Sequence, residues 1–543
     1  MLISSPTPEQ QKAIDASGNI VIIAKPGSGK TFVLAEKIRD KLLKVKSFQG
    51  IIAISYTNKA SAELRNRCTS HGIDLKESFF GTIDNFCFSE IIYPFLHQLW
   101  GRPSLKPQII KINQLPENQQ EVFSDIRFRV ISVDDLKKNI KMIQLQFFNG
   151  KLLLECSGSL ALYVISNSIA CKRYLKTKYN AIYVDEYQDS GIEQHELFLT
   201  LARLGLNATA VGDADQSIFA FSGKKPDYLL SLPREPSFSL FTIDLNHRCH
   251  PSIINYSIHL LNQDSNLMPA PALQMYYKNC GGTQNEIAAW IDRSLPRLLS
   301  SFKVEKKCQI GVLVRNFITG NLIDECLRAP HKYFFSTDLD SDSSLWGMLF
   351  KALLSYRFNS AVSAEEIIES NIPAINKGSE RKLKVQIKQL RQLSIDDLYN
   401  HFVAIANSIY PRSRSSESLT SLAETLQSNQ MLSNYMPPDD NCIQIMSIHK
   451  SKGLEFDVVL HLDLYEWVFP SKRPGANNDW DNPIYPDYAQ ELNLHYVAIT
   501  RARKACFLIS SSQRLNKDAQ IKSGRPSEFL NLGKLAKMRI TIR

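Results

Sequence analysis

The segment AKPGSGKT, Ala24 to Thr31, constrains this chain more than any other stretch. It follows NIVIIA, Asn19 to Ala24, a short apolar and largely β-branched run that reads as a buried parallel strand. It precedes FVLAEKIRDKLLKV, where Phe32, Leu34, Ala35, Ile38 and Leu42 recur at helical spacing. Strand, glycine-rich loop and helix, in that order, are the setting of a phosphate-binding P-loop. Gly27 and Gly29 let the backbone turn its N–H groups inward around phosphates. The helix N-terminus adds partial positive charge. Lys30 can reach the terminal phosphates and the Thr31 hydroxyl can ligate Mg²⁺. Ala24, Lys25, Pro26, Gly27, Ser28, Gly29, Lys30, Thr31 and Phe32 are thus the predicted ATP cradle, with Ala24 standing where the pattern usually has its first glycine.

A second stretch, AIYVDEYQDS, ends an apolar run in the adjacent carboxylates Asp185 and Glu186. Two such neighbours repel, and desolvating them is costly, so a cation must compensate them. An isolated Asp-Glu pair would read as a solvated loop. After the apolar Ala181 to Val184, and with a P-loop upstream, Asp185 is expected to support Mg²⁺ and Glu186 to accept a proton from attacking water.

With 543 residues, several domains are expected. The net charge of +10 permits a polyanionic partner, and fits a well-solvated basic surface equally well. Ten cysteines are scattered with no C-x-x-C spacing, which gives a zinc or iron–sulfur site little support and reads as free buried thiols in a reducing cytoplasm. MLISSPTPEQQ has no secretory pattern, and no apolar run approaches the ~18–20 residues of a membrane span. A soluble, cytoplasmic protein without a membrane partner is expected.

Further stretches, taken in order, resemble the UvrD/Rep/PcrA group of superfamily 1 DNA helicases across both motor domains. TPEQQKAI resembles the adenine-reading element, which implies that Gln10 bonds the adenine edge. IIAISYTNKASAELRNR resembles motif Ia, implying single-stranded-DNA contacts from Tyr56, Thr57 and Asn58. GTIDNF resembles motif Ib, with Asp84 where the family commonly has histidine, a charge expected to face a DNA phosphate unfavourably. VDEYQDS matches motif II nearly letter for letter. VGDADQSIFAFSG resembles motif III: Gln216 is implied as γ-phosphate sensor, Phe221 replaces a base-stacking tryptophan, and Ser222 replaces an arginine. LNHRCHPSIIN resembles motif IV, implying Arg248 on the γ-phosphate and His247 stacked on adenine. IQIMSIHKSKGLEF resembles motif V, implying His449 on DNA and Glu455 on the ribose. HYVAITRARKA resembles motif VI, with Arg501 as the arginine finger.

The resemblance implies an α/β fold: two RecA-like P-loop domains, 1A and 2A, with mainly helical insertions, 1B and a shortened 2B. The expected boundaries are 1–88 and 179–244 for 1A, 89–178 for 1B, 245–335 and 441–543 for 2A, and 336–440 for 2B. The runs NIVIIA, IIAIS, AIYVDE, ATAVGD, IGVLVR, VVLHLDL and CFLIS support a parallel sheet independently. KGSERKLKVQIKQLRQ reads as a solvated amphipathic helix, with a DNA contact as the alternative, and CKRYLKTK is open in the same way. RSRSSESLTSLAE reads as a loop or linker. No carboxylate-and-lysine cluster follows Ser510, so no fused nuclease is expected. The short insertions resemble the helicase-like subunits of Gabija anti-phage defence systems. The implied activity is an ATP- and Mg²⁺-dependent translocase or helicase of 3′–5′ polarity on single-stranded or partly duplex DNA, working with a defence nuclease. The alternative is a DNA- or nucleotide-sensing ATPase subunit that switches such a partner with little unwinding of its own.

Overall fold

The apolar runs assemble into two parallel sheets. The computed structural model describes residues 5–543 except 71, 106, 124–129, 219–223, 343, 372–376 and 412. Phe221 and Ser222 lie outside the described residues.

Six strands form the first sheet: β1 (Asn19–Ala24), β2 (Gly50–Ile54), β3 (Phe79–Gly81), β4 (Tyr179–Val184), β5 (Asn207–Gly212) and β6 (Phe238–Ile243). Their spatial order is β3-β2-β4-β5-β1-β6, all parallel. Helices cover both faces of the central strands, so β1, β2 and β4 must be apolar on alternate and intervening positions alike. Ile20, Val21, Ile22, Ile51, Ile52, Ala181 and Ile182 are wholly buried. Removing such a side chain from water stabilises the fold by ~1.5–3 kcal/mol.

The second sheet has seven strands: β7 (Met275–Cys280), β8 (Ile310–Val314), β9 (His331–Phe334), β10 (Ile443–Ser447), β11 (Phe456–His461), β12 (Ala502–Ser511) and β13 (Ile540–Ile542). Their order is β9-β10-β8-β11-β12-β7-β13, again all parallel. Two RecA-like α/β domains result. The chain between β3 and β4 and the chain between β9 and β10 are mainly helical. One continuous apolar cluster joins these two helical segments to the first sheet.

Lys377–Gln389 is a helix that buries Leu383 and Ile387, as its amphipathic spacing predicts. CKRYLKTK falls in the helix Ile169–Lys178, which buries Cys171 and Leu175 and pairs Lys178 with Glu90 at 2.8 Å. The serine-rich stretch is a correction. It is no linker: Ser416–Gln427 is an α-helix. Ser415 caps its N-terminus, with Oγ accepting the Ser418 N–H at 3.2 Å. Leu422 is fully buried, and Leu419 and Leu426 pack on the same cluster. Serine composition masks a three- and four-residue leucine spacing, and burial of that stripe decides the outcome.

All ten cysteines are free, and most are buried. Among the described residues, no helix is long and apolar enough to cross a membrane.

Candidate active site

In a parallel sheet every strand delivers its following loop to the same edge. The P-loop follows β1, Asp185 and Glu186 follow β4, Asp213 to Gln216 follow β5, and Asn246 to Arg248 follow β6. These four strands are spatial neighbours, so topology alone brings the four sequence segments together.

Gly27 and Gly29 take left-handed backbone angles, φ +68° and +84°. A Cβ on Gly27 would lie 2.4 Å from Asn246 Oδ1 and 2.6 Å from Arg248 Cβ, so only glycine fits beneath the turn after β6. That turn is held by Asn246, whose Oδ1 accepts the Arg248 and Cys249 N–H groups at 2.8 and 3.0 Å. The His247 N–H donates to Gly27 O at 2.9 Å. Gln10 braces the other side. Its Oε1 accepts the Thr7 N–H at 2.9 Å, and its Nε2 donates to Ser28 O at 2.8 Å. Lys25 leaves the cradle to pair with Asp215 at 2.6 Å.

Lys30 and Thr31 open the helix Lys30–Lys44, with Gly29 as N-cap. Lys30 Nζ and Ser28 Oγ are buried and find no hydrogen-bond partner among the described residues. The Lys30 ammonium acts electrostatically on Asp185, Glu186 and Asp213. Burial and the neighbouring Glu186 charge raise the Asp185 carboxyl above its usual range. Burial opposes the Glu186 charge too, but Lys30, Lys452, Gln188 and Arg501 outweigh it and hold Glu186 ionised. Glu186 sits at φ 52°, ψ 43°, a left-handed conformation that non-glycine residues rarely adopt. Gln188 donates to Glu186 Oε2 and accepts the Asp213 N–H at 3.0 Å, tying the two loops together.

The second domain completes the pocket. Arg501 is 2% exposed, and its Nη2 donates to Gln216 Oε1 at 3.0 Å. Gln216 in turn donates to Asp213 Oδ2 at 2.7 Å. Arg248 pairs with Glu455 at 2.6 Å. Lys452 reaches across to Asp189 Oδ2 at 2.7 Å and to Gln216 O at 2.9 Å. A cleft of about 1600 Å³ opens beside the P-loop, lined by Gln10, Phe32, Arg39, His247 and Glu455.

The remaining predicted contacts lie elsewhere. Tyr56 and Thr57 follow β2, with Thr57 Oγ1 capping the helix Asn58–Thr69 by accepting the Ala60 N–H at 3.1 Å. Tyr56 lines a cavity of about 430 Å³ together with Thr82, Asp84, Asp189 and Lys224. Asp84 lines the same cavity, its carboxylate accepting from the Ser157 hydroxyl and its pKa raised by burial. Lys224 lies 3.9 Å above the Tyr56 ring, which places a cation two residues beyond Ser222. His449, after β10, is half-buried. Burial, with Arg315 and Lys452 nearby, pushes it down to about 4, so it is a neutral imidazole at pH 7.

Sequence reasoning missed Asn246, Gln188, Lys224 and Lys452. Gln188 stood within motif II and could have been found there. Asn246 and Lys452 likewise stood within the stretches that resemble motifs IV and V, and Asn246 caps its own turn two and three residues on. Lys224 is a loop residue whose partners, Tyr56 and Asp189, lie far away in sequence.

A phosphate cradle on one RecA-like domain, completed by an arginine, Arg501, that leads into a strand of the other, is the architecture of a two-lobed motor ATPase. The chain belongs to the UvrD/Rep family of DNA helicases, which are DNA-dependent ATPases. Residues 6–146 and 109–237 match the UvrD/REP helicase N-terminal domain, and residues 348–513 match the UvrD-like helicase C-terminal domain. The Gabija protein GajB of Bacillus cereus (strain VD045) is 26% identical over 524 residues, covering 93% of this chain and 95% of that one. The probable DNA helicase II homologue of Rickettsia conorii is 23% identical over 623 residues, with 93% and 92% covered. The ATP-dependent DNA helicase PcrA of Staphylococcus epidermidis is 22% identical over 651 residues, with 97% and 86% covered. The last two alignments are longer than the 543-residue chain itself, so those relatives carry segments absent here, whereas the GajB alignment is shorter than the chain.

Proposed function

We propose that the protein is an ATP-driven translocase that moves 3′ to 5′ along single-stranded DNA and works with a nuclease partner in anti-phage defence. The observation that carries the motor reading is the Arg501–Gln216 bridge, which ties one domain's cation to the other domain's phosphate-facing loop. In this reading residues 1–88 and 179–244 form the first motor domain, and 245–335 and 441–543 the second. Residues 89–178 and 336–440 are the insertions.

The orphaned Lys30 ammonium and Ser28 hydroxyl fit an incoming triphosphate, and the crowded carboxylates fit a cation. Thr31 and Asp185 would hold Mg²⁺, which when bound neutralises phosphate charge. Lys30 holds the terminal phosphates, with Arg248 and Arg501 opposite. Gln188 orients Glu186, which takes the proton of the attacking water. Gln216 links the phosphate side to Arg501, so loss of the γ-phosphate releases the second domain. Gln10 and His247 hold the adenine and Glu455 the ribose. Tyr56, Thr57, Asn58, Phe221 and His449 grip the DNA strand.

The similarity to GajB and the short insertions support the partner. A second reading, in which ATP turnover mainly switches that partner, is favoured by one feature. Leu345 and Met348 of the helix Leu345–Phe358 line the cavity beside Tyr56, so this insertion helix shares a wall with the predicted DNA contact. ATP hydrolysis with and without single-stranded DNA, followed by unwinding of duplexes carrying 3′ or 5′ tails, tests the proposal. DNA-stimulated turnover and unwinding from a 3′ tail are expected. Turnover indifferent to DNA overturns the motor, and preference for a 5′ tail overturns the polarity.

A further inference from the structure

The two arginines placed opposite the γ-phosphate differ in their access to solvent. Arg501 is 2% exposed, whereas the Arg248 side chain is 20% exposed. Glu455 lines the nucleotide cleft, and Arg248 lines a second cavity of about 430 Å³, so their 2.6 Å ion pair stands between the two spaces. The walls of this second cavity continue the segments that carry the site. His250 follows Arg248 by two residues, and Arg503 and Lys504 of β12 follow Arg501 by two and three. Lys303 lies just beyond the helix Gln284–Ser301. The His250 N–H donates to Arg503 O at 2.8 Å, and Lys504 Nζ donates to Lys303 O at 2.9 Å. Arg503 Nε and Lys504 Nζ both reach the buried Asp457, each at 2.8 Å. Four cationic side chains thus line the cavity, and none of its described lining residues is a carboxylate. A merely solvated basic surface needs neither a buried anchor for its cations nor continuity with Arg248.

We propose that this cavity is the exit for inorganic phosphate, with the Arg248–Glu455 pair as its gate. The proposal rests on the nucleotide roles given above. In hydrolysis the water oxygen joins the γ-phosphorus, Glu186 takes the proton, and the bridging oxygen leaves with ADP. ADP then still fills the side of the cleft that Gln10, Phe32 and His247 line, so the freed phosphate does not leave by the way it came. Lys30 Nζ and Arg501 are buried and open no path to solvent. Arg248 does. With nucleotide bound, Glu455 turns to the ribose, and the Arg248 guanidinium exchanges that carboxylate for the phosphate. Beyond Arg248, the field of Lys303, Arg503 and Lys504 draws the anion outward. Phosphate therefore departs before ADP, whose base and ribose stay held.

The test follows a single turnover of ATP by the full chain with saturating oligothymidylate. Acid quench reads hydrolysis, a fluorescent phosphate-binding protein reads free phosphate, and a labelled ADP reads its dissociation. In wild type, phosphate should appear before ADP dissociates. Lys303→Glu should slow the appearance of phosphate at least fivefold and leave the hydrolysis step within twofold of wild type. Lys303→Asn suits the left-handed backbone there, φ 47°, and should slow it by a smaller factor, at least twofold. Arg293→Glu makes the same charge reversal at an exposed position of the helix Gln284–Ser301 and should change neither step. Phosphate appearing at the wild-type rate in both Lys303 variants overturns the exit. So does equal slowing in Arg293→Glu, which marks a general effect of net charge, and so does ADP leaving first in wild type. Absence of hydrolysis in wild type overturns the nucleotide roles, and the exit with them. Thermal melting of Lys303→Asn, expected within a few degrees of wild type, separates misfolding from slowed release.

Discussion

Arg501 Nη2 lies 3.0 Å from Gln216 Oε1, although the two residues stand 285 positions apart and belong to different sheets. Burial, and then the neighbouring Arg248 charge, draw the Arg501 guanidinium down to about 10, so it remains a cation at neutral pH. A buried cation held by a neutral amide is poised to exchange that amide for a more negative partner. Arg501→Ala should therefore reduce turnover by ~10³–10⁵, as expected for an arginine finger. Nucleotide binding, followed by fluorescence of a labelled ATP, should fall far less. Turnover within tenfold of wild type would remove Arg501 from the reaction.

Lys30 is the buried ammonium that three carboxyl groups surround without a direct hydrogen bond. Lys30→Ala should abolish ATP hydrolysis while leaving the fold intact, as judged by circular dichroism. Retained hydrolysis would overturn the P-loop assignment.

Glu186 carries two separable burdens, its carboxylate and its left-handed backbone at φ 52°. Glu186→Gln keeps the shape and removes the base, so ATP should bind and hydrolysis should slow by ~10²–10⁴. Glu186→Gly and Glu186→Ala lose the same side-chain contacts and differ only in Cβ. Since Cβ disfavours this conformation, the glycine variant should be the more stable by about 1 kcal/mol. Equal denaturant midpoints would mean that the backbone there is unstrained.

Four strands of the first sheet, β1, β2, β4 and β5, were legible as apolar runs, whereas the three-residue β3 and the half-exposed β6 carry no such run. The P-loop was legible because glycine has a specific conformational task at Gly27 and Gly29. Once the strands are parallel and adjacent, the clustering of Lys30, Asp185, Gln216 and Arg248 needs no further information. Nothing local shows that Asp84 will accept a hydrogen bond from Ser157, in another segment. Lys224 carried no signal, and Lys452 stood within the motif V stretch without a role being read for it. A lysine in a loop is usually solvated, and what marks these two is a partner supplied by tertiary structure. The helix Ser416–Gln427 was missed for the opposite reason. Its leucine stripe was present, but composition was given more weight than spacing.

His461 and His495 form a wholly buried pair in the second domain, with His461 Nε2 2.8 Å from His495 Nδ1. His495 stacks on Phe529 at 5.5 Å, and Phe469 packs edge-on against both imidazoles. Burial pushes His461 down to about 3, and burial with the His461 and Arg539 charges pushes His495 well below its ordinary value. Both pKa values are depressed in the folded state, so between about 3 and the ordinary 6.5 the unfolded chain binds more protons than the folded one. Stability then rises with pH in that window, and it is lost as pH falls below about 6.5. The loss approaches about 1.4 kcal/mol per pH unit for each imidazole that titrates only on unfolding. Replacing both residues by glutamine should lower stability at pH 7.5, because the packing against Phe529 is lost, yet flatten the decline between pH 6.5 and 4.5. Denaturant midpoints across that range measure the slope. Parallel curves for wild type and the double variant would show that this pair is not a source of acid sensitivity.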